Sequence, residues 1–146
     1  MTESTMELLI ERAFAAPPER VYRAFIAELE RWIAPDGFSV VPGSVEVDPR
    51  VGGHQRFTLI AEDGSTSPVD VTYTAVVENE LLAGEQLVPA AGDAEEFMRS
   101  WKVEFGDAGE QTRLMLRQGP FSKEAGAEAR AHWESAFVKL DALLIG

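Results

Sequence analysis

Apolar and polar residues alternate along most of this chain, and the alternation predicts a series of short β-strands. The predicted strands cover residues 7–12, 44–47, 54–61, 69–77, 81–88, 97–105 and 112–118. After the first strand, Pro17 and Pro18 open a helical region in which Val21, Phe25 and Leu29 form an apolar stripe. The pattern therefore predicts an antiparallel sheet with few helices.

The final stretch, Ser122–Ile145, has the period of one long amphipathic helix. At ~1.5 Å per residue this helix is about 36 Å long, which is enough to cross the concave face of a curved sheet. Its apolar stripe is small at first and then large: Gly126, Ala129, Trp133, Phe137, Leu140 and Leu144. The two small residues either let the sheet approach closely or leave empty volume beneath the helix, and both interpretations stay open.

Length and composition predict one domain. The 146 residues are 45% hydrophobic, which suits a single core that buries ~70% of the unfolded surface. The chain shows no internal repeat, low-complexity tract or linker. We therefore expect residues 1–146 to form a single domain.

The charge balance argues against several classes of partner. Asp and Glu outnumber Lys and Arg by 25 to 13, and the resulting charge of −12 repels nucleic acid and anionic lipid surfaces. The chain has no cysteine, so disulfides and thiolate chemistry are excluded. No segment has the ~20 apolar residues that span a bilayer, and the polar amino terminus, residues 1–7, has no secretory signal pattern. We expect no membrane insertion and a cytoplasmic location.

The sequence contains no recognisable catalytic or metal-binding motif. His54 and His132 are the only histidines, and neither has an acidic residue at a metal-motif spacing. Alternation places His54 on the outer face of its strand, while His132 lies beside the helical stripe as a structural residue. There is no nucleophile elbow, phosphate loop or dinucleotide fingerprint. We expect no metal, no cofactor and no catalytic residue.

Several segments, in order along the chain, resemble the family of homologues of the activator of heat-shock protein 90 ATPase. They are Arg12–Phe25, Arg31–Phe38, Asp48–Gly53, Asp63-Gly64, Val103–Phe105, Gln111–Leu116 and His132-Trp133. The segments are individually weak but collectively specific, and they cover nearly the whole chain. The resemblance implies the α+β helix-grip fold of the START-like (SRPBCC) superfamily. In that fold a curved antiparallel sheet wraps around a long C-terminal helix, and two short helices follow the first strand.

Gln55 departs from the pattern of this family, whose members commonly have an aromatic residue two positions after the paired glycines. Alternation places Gln55 on the same inward face as Phe57 and Leu59. A buried amide needs hydrogen-bond partners, because an unsatisfied one costs ~1 to 3 kcal/mol. A ligand or water is one source of such a partner. A group on a neighbouring strand, or exposure at the strand end, is the other interpretation.

The expected function is binding of a small apolar or lipid-like molecule in a cavity between sheet and helix, without catalysis. The residues expected to form the binding site share an inward position: Trp32, Phe38, Gln55, Phe57, Tyr73, Trp101, Trp133 and Phe137. One alternative is a cyclase-like or hydrolase-like enzyme using Tyr22, Tyr73, Gln55 or His132 as acid-base groups. The other is a stress-related protein that interacts with a chaperone.

Overall fold

The computed structural model describes residues 5–90, 92–93 and 95–145, and its strands form one curved, eight-stranded antiparallel sheet. The strands are β1 (Thr5–Phe14), β2 (Phe38–Val40), β3 (Glu46–Val47), β4 (His54–Ala61), β5 (Thr66–Val77), β6 (Leu81–Val88), β7 (Phe97–Ala108) and β8 (Gln111–Ser122). The helices are α1 (Pro18–Ala27) and α2 (Lys123–Ile145), with one 3₁₀ turn at Leu29–Arg31. The strand order is β1-β8-β7-β6-β5-β4-β2, and β3 also pairs with β4.

The predicted helix-grip fold is confirmed, with differences at the ends of elements. The hairpin of β7 and β8 is longer than alternation predicts, because pairing continues to Ala108 and Gln111 around a tight turn. Gly109 permits that turn with a φ of +79°. Strand β2 was not predicted, since three residues are too few to show a period. It exists because Phe38–Val40 pairs with the end of β4.

The region after β1 contains one short α-helix and a 3₁₀ turn, where two short helices were expected. Helix α1 begins after Pro17 and ends at Ala27, because the next residue, Glu28, has a φ of −130°, which is not helical. The carbonyl of Ala24 belongs to the last turn, where carbonyl groups lack helical partners. The indole Nε1 of Trp32 donates a hydrogen bond to this carbonyl at 2.9 Å. Trp32 therefore stabilises the helix end from within the core.

Aromatic side chains build the core between the concave sheet face, α1 and α2. Phe137 of α2 lies edge-on to Phe14 of β1, with ring centroids 5.5 Å apart. Phe25 of α1 makes similar contacts with Phe105 at 5.2 Å and with Trp32 at 4.6 Å. Edge-to-face pairs of this kind add to the stabilisation that burial provides. The core therefore joins both helices to the sheet.

The buried face of α2 is the one that the sequence predicts. Gly126, Phe137 and Leu140 are buried, and Ala129 and Trp133 are half-buried on the same side. Both interpretations of the small residues apply, at different positions. A Cβ atom on Gly126 would lie 2.7 Å from the sulfur of Met6, so this glycine permits close approach of β1. Ala129 instead faces empty volume.

Among the described residues, no helix combines the length and apolarity needed to cross a membrane. Two sequence-based predictions extend beyond these residues. Residues 1–4 of the polar amino terminus lie outside the described part of the chain. Positions 91 and 94, in the surface loop predicted between β6 and β7, lie outside it as well.

Candidate ligand cavity

A cavity of about 220 Å³ lies between the concave face of the sheet and the first half of α2. Much of its wall is apolar, with Phe57, Val71, Trp101, Phe121, Ala129 and Trp133 among its members. Five polar side chains also reach it: Gln55, Gln86, Arg99, Gln118 and His132. No Asp or Glu lines the cavity among the described residues, although the chain carries 25 of them. The site is thus mainly apolar, with donors and acceptors at a few points.

Gln55 points inward from β4, as alternation predicts, and is 3% exposed. The hydroxyl of Tyr73, on the neighbouring strand β5, donates a hydrogen bond to Gln55 Oε1 at 3.2 Å. Of the two interpretations given for Gln55, the structure therefore has the hydrogen-bond partner on a neighbouring strand. No hydrogen bond joins its Nε2 to another of the described residues, and Gln55 contributes to the cavity wall. One half of the amide is satisfied by the protein, and the other half can donate to a bound molecule.

Burial controls the protonation of Tyr73. Its side chain is 1% exposed, and desolvation raises the pKa of its hydroxyl well above the usual 10.0. The negative charges of ionised Tyr22 and of Asp48 raise this pKa further. The hydroxyl therefore keeps its proton to higher pH than an exposed tyrosine does, and it donates to Gln55. It holds the amide of Gln55 in one orientation.

The opposite side of the cavity is bordered by α2 and by the end of the β7–β8 hairpin that carries Arg99 and Gln118. The indole Nε1 of Trp133 donates to Gln118 Oε1 at 2.9 Å. Arg99 donates through Nε to the carbonyl of Pro120 at 3.2 Å. His132 is exposed and contacts Phe38 edge-on, with ring centroids 5.7 Å apart. These residues connect the buried wall to solvent.

The structure brings together only part of the set that the sequence proposed as a binding site. Gln55, Phe57, Trp101 and Trp133 line the cavity, and Tyr73 lies directly behind Gln55. The remaining three residues lie elsewhere. Trp32 and Phe137 pack in the core. Phe38 borders a separate open groove of about 790 Å³, which Trp32 also lines. Alternation identifies which residues of a strand face inward, but it does not show whether an inward residue packs in the core or lines a cavity.

Sequence reasoning missed three polar residues of the cavity. Gln86, Arg99 and Gln118 occupy inward positions near the ends of their strands, where polar side chains usually meet solvent. The sequence did contain evidence that Arg99 faces inward, because Arg99 precedes Trp101 by two positions and side chains two apart in a strand lie on the same face. The strand register places the other two residues on the same face, since Gln86 pairs with Arg99 and Gln118 pairs with Trp101.

A family model for Activator of Hsp90 ATPase homolog 1-like protein matches residues 15–145. The chain belongs to this family. Among solved structures, protein CV1439 from Chromobacterium violaceum is 25% identical with a TM-score of 0.81, covering 94% of this chain and 96% of that one. The AHSA1 (SPO3351) protein from Silicibacter pomeroyi is 22% identical with a TM-score of 0.81, covering 96% and 98% of the two chains. No curated protein matches the chain.

These comparisons confirm the resemblance and the START-like fold of this chain. A third structure, protein Ms6760 from Mycobacterium smegmatis, agrees at 24% identity and a TM-score of 0.77, with coverage of 96% and 91%. No group of three His, Cys, Asp or Glu side chains that could hold a metal ion occurs in the part of the chain that is described. His54 lies on the outer face, where its Nδ1 is 2.8 Å from Asp70.

Proposed function

We propose that this protein is a noncatalytic module that binds one small, mainly apolar molecule in the cavity between the sheet and α2. The cavity itself carries the proposal: about 220 Å³ of space, partly open to solvent and walled largely by aromatic and aliphatic side chains. An apolar cavity of ~150 Å³ is large enough to hold benzene. The volume here suits a single ring with a short substituent.

The polar groups of the cavity favour recognition over chemistry. Gln55, Gln86 and Gln118 carry amides, which neither donate nor accept a proton near neutral pH. His132 also borders the cavity, but its side chain is exposed at the edge. Gln55 Nε2 is available to donate a hydrogen bond to an oxygen or nitrogen of the bound molecule. We therefore expect the bound molecule to dissociate from the site without having been chemically altered.

Binding of small aromatic probes tests the proposal. Toluene, p-cresol and indole are titrated into the protein by calorimetry, and thermal melts are recorded with each. A ligand at 100 times its Kd stabilises the folded state by ~2.7 kcal/mol, which raises Tm by several degrees for a domain of this size. We expect at least one probe to bind with one-to-one stoichiometry and to be recovered unaltered.

A cavity-filling variant locates the site. Ala129→Leu places a larger side chain in the cavity, whereas Ala131→Leu adds the same side chain at an exposed position of α2. We expect Ala129→Leu to weaken probe binding at least tenfold and Ala131→Leu to leave it unchanged. Equal binding by both variants would place the site elsewhere, and no binding by the wild type would overturn the proposal.

A further inference from the structure

Arg99 occupies an unusual position for a charged residue. It lies on the inward face of β7, two residues before the buried Trp101, and it lines the ligand cavity. Its neighbour across the strand pair is Gln86, another polar residue of the cavity wall. Arg99 is half-buried, so in a protein of charge −12 the border of this cavity carries a positive charge.

Neighbouring groups hold the guanidinium in place without neutralising it. The ring of Phe121 lies 4.0 Å from the guanidinium carbon, measured to the ring centroid, and the ring of Phe97 lies 5.2 Å away. One donor, Nε, is used by the carbonyl of Pro120. Stacking and this hydrogen bond orient the planar group, which has further N–H donors on its two terminal nitrogens.

Arg99 lacks the acidic partner that most arginines of this protein have. Arg12 pairs with Asp141, Arg20 with Glu28 and Arg117 with Glu7, whereas no carboxylate among the described residues forms an ion pair with Arg99. Partial burial lowers the pKa of Arg99, because desolvation disfavours its charged form. A bound anion would compensate that cost, since charge-assisted hydrogen bonds of a guanidinium are among the stronger ones.

We propose that the molecule bound in this cavity is a small carboxylic acid, whose ring or short branched chain fills the apolar part and whose carboxylate is held by Arg99. This inference rests on the proposed binding function and specifies its ligand class. The planar guanidinium can receive both oxygens of a carboxylate. A volume of about 220 Å³ leaves room for a body of one ring beside that group. A carboxylate carries one charge, so its desolvation costs less than that of a doubly charged phosphate.

Matched ligands separate the charge from the apolar body. Phenylacetate, phenylacetamide and phenyl phosphate are titrated at neutral pH, together with the neutral probes toluene and indole. We expect the wild type to bind phenylacetate at least tenfold more tightly than phenylacetamide. The preference should fall at higher salt and should decline as the pH falls through ~4, where the ligand carboxyl becomes protonated.

Variants assign this preference to Arg99. Arg99→Gln keeps a polar side chain but removes the charge, and we expect it to bind phenylacetate and phenylacetamide within about twofold of each other. Arg99→Lys keeps the charge without the planar fork and should retain part of the preference. Arg117→Gln, on an exposed arginine of β8 that does not line the cavity, is the matched control and should behave as the wild type.

The outcomes distinguish the two proposals. Binding of neutral probes without any preference for phenylacetate overturns the carboxylate inference and leaves the binding function standing. Tighter binding of phenyl phosphate than of phenylacetate overturns it as well. A preference that persists in Arg99→Gln assigns recognition to another group. If no compound binds at all, the binding function itself fails.

Discussion

At the scale of single residues, Gln55 and Tyr73 form a buried polar pair beside the mainly apolar wall of the cavity. The 3.2 Å hydrogen bond from the tyrosine hydroxyl satisfies the amide oxygen of Gln55. Without it, that oxygen would be buried with no partner, and a group of this kind costs ~1 to 3 kcal/mol. The pair therefore explains how an amide is tolerated at a position where alternation predicts an apolar residue.

Replacing Tyr73 by phenylalanine tests this account through stability and its dependence on pH. We expect Tyr73→Phe to lose ~1 to 3 kcal/mol at pH 7, because Gln55 Oε1 loses its donor. The folded state raises the pKa of Tyr73 above the usual 10.0, so the wild type is stabilised fully below pH 10 and loses stability as the pH rises beyond it. Tyr73→Phe should lose less stability over that alkaline range. Urea unfolding at pH 7 and above pH 10 measures both effects.

The double variant is the control for the hydrogen bond. Because Gln55→Leu removes the acceptor, Tyr73→Phe in that background should cost less than in the wild type. Equal costs in the two backgrounds would show that the two side chains do not interact. An unchanged alkaline loss in Tyr73→Phe would assign that loss to other groups, such as Tyr22, whose pKa burial also raises.

At the scale of elements, α2 has two functions along one face. Its first half carries Gly126 against β1 and Ala129 against the cavity, so the helix is close to the sheet at one turn and separated from it at the next. Its second half carries Phe137 and Leu140, both 0% exposed, in the core. The second half therefore anchors the helix, and the first half shapes the cavity.

Truncating Phe137 tests which part of α2 anchors the fold. Phe137→Ala removes a ring that packs against Phe14, Trp32 and Trp133, so we expect a loss of ~3 to 5 kcal/mol. Val138→Ala, on the adjacent exposed residue, should cost less than ~0.5 kcal/mol. Equilibrium unfolding in urea measures both losses. Similar losses at the two positions would contradict the assigned face of α2.

At the scale of the whole molecule, charge is distributed unevenly between surface and cavity. The net charge is −12, yet no carboxylate lines the cavity among the described residues. Acidic side chains such as Glu7, Glu11 and Glu46 instead pair with arginines on exposed strand faces. The exterior thus repels polyanions, whereas the cavity, through Arg99, can attract a small anion.

This charge distribution predicts no salt-sensitive binding to duplex DNA. Tight binding of that kind requires a basic surface that displaces counterions from several phosphates, and the acidic excess opposes it. A gel-shift titration at low salt, with a basic DNA-binding protein as positive control, measures the affinity. Binding that is tight at low salt and weakens steeply as salt rises would contradict the prediction and would require a clustered basic patch.

Local pattern alone was sufficient to predict much of the fold. Strands β4 and β6 have the predicted bounds, and the apolar stripe of α2 identified Phe137 and Leu140 as buried. Both signals depend on the direction of neighbouring side chains, which a strand or helix determines within a few residues. The order of strands and helices then indicated the helix-grip fold. The same alternation placed Gln55 on the inward face.

Only the tertiary structure decided which inward residues form the cavity and which form the core. Trp32 and Trp133 were both expected to face inward, but Trp32 supports the end of α1, whereas Trp133 borders empty volume. The sequence likewise showed an arginine two positions before Trp101, but it did not indicate that no carboxylate of the described residues forms an ion pair with it. These distinctions depend on how the sheet curves and where α2 crosses it. Such contacts join residues far apart in the chain, and local pattern contains no information about their distances.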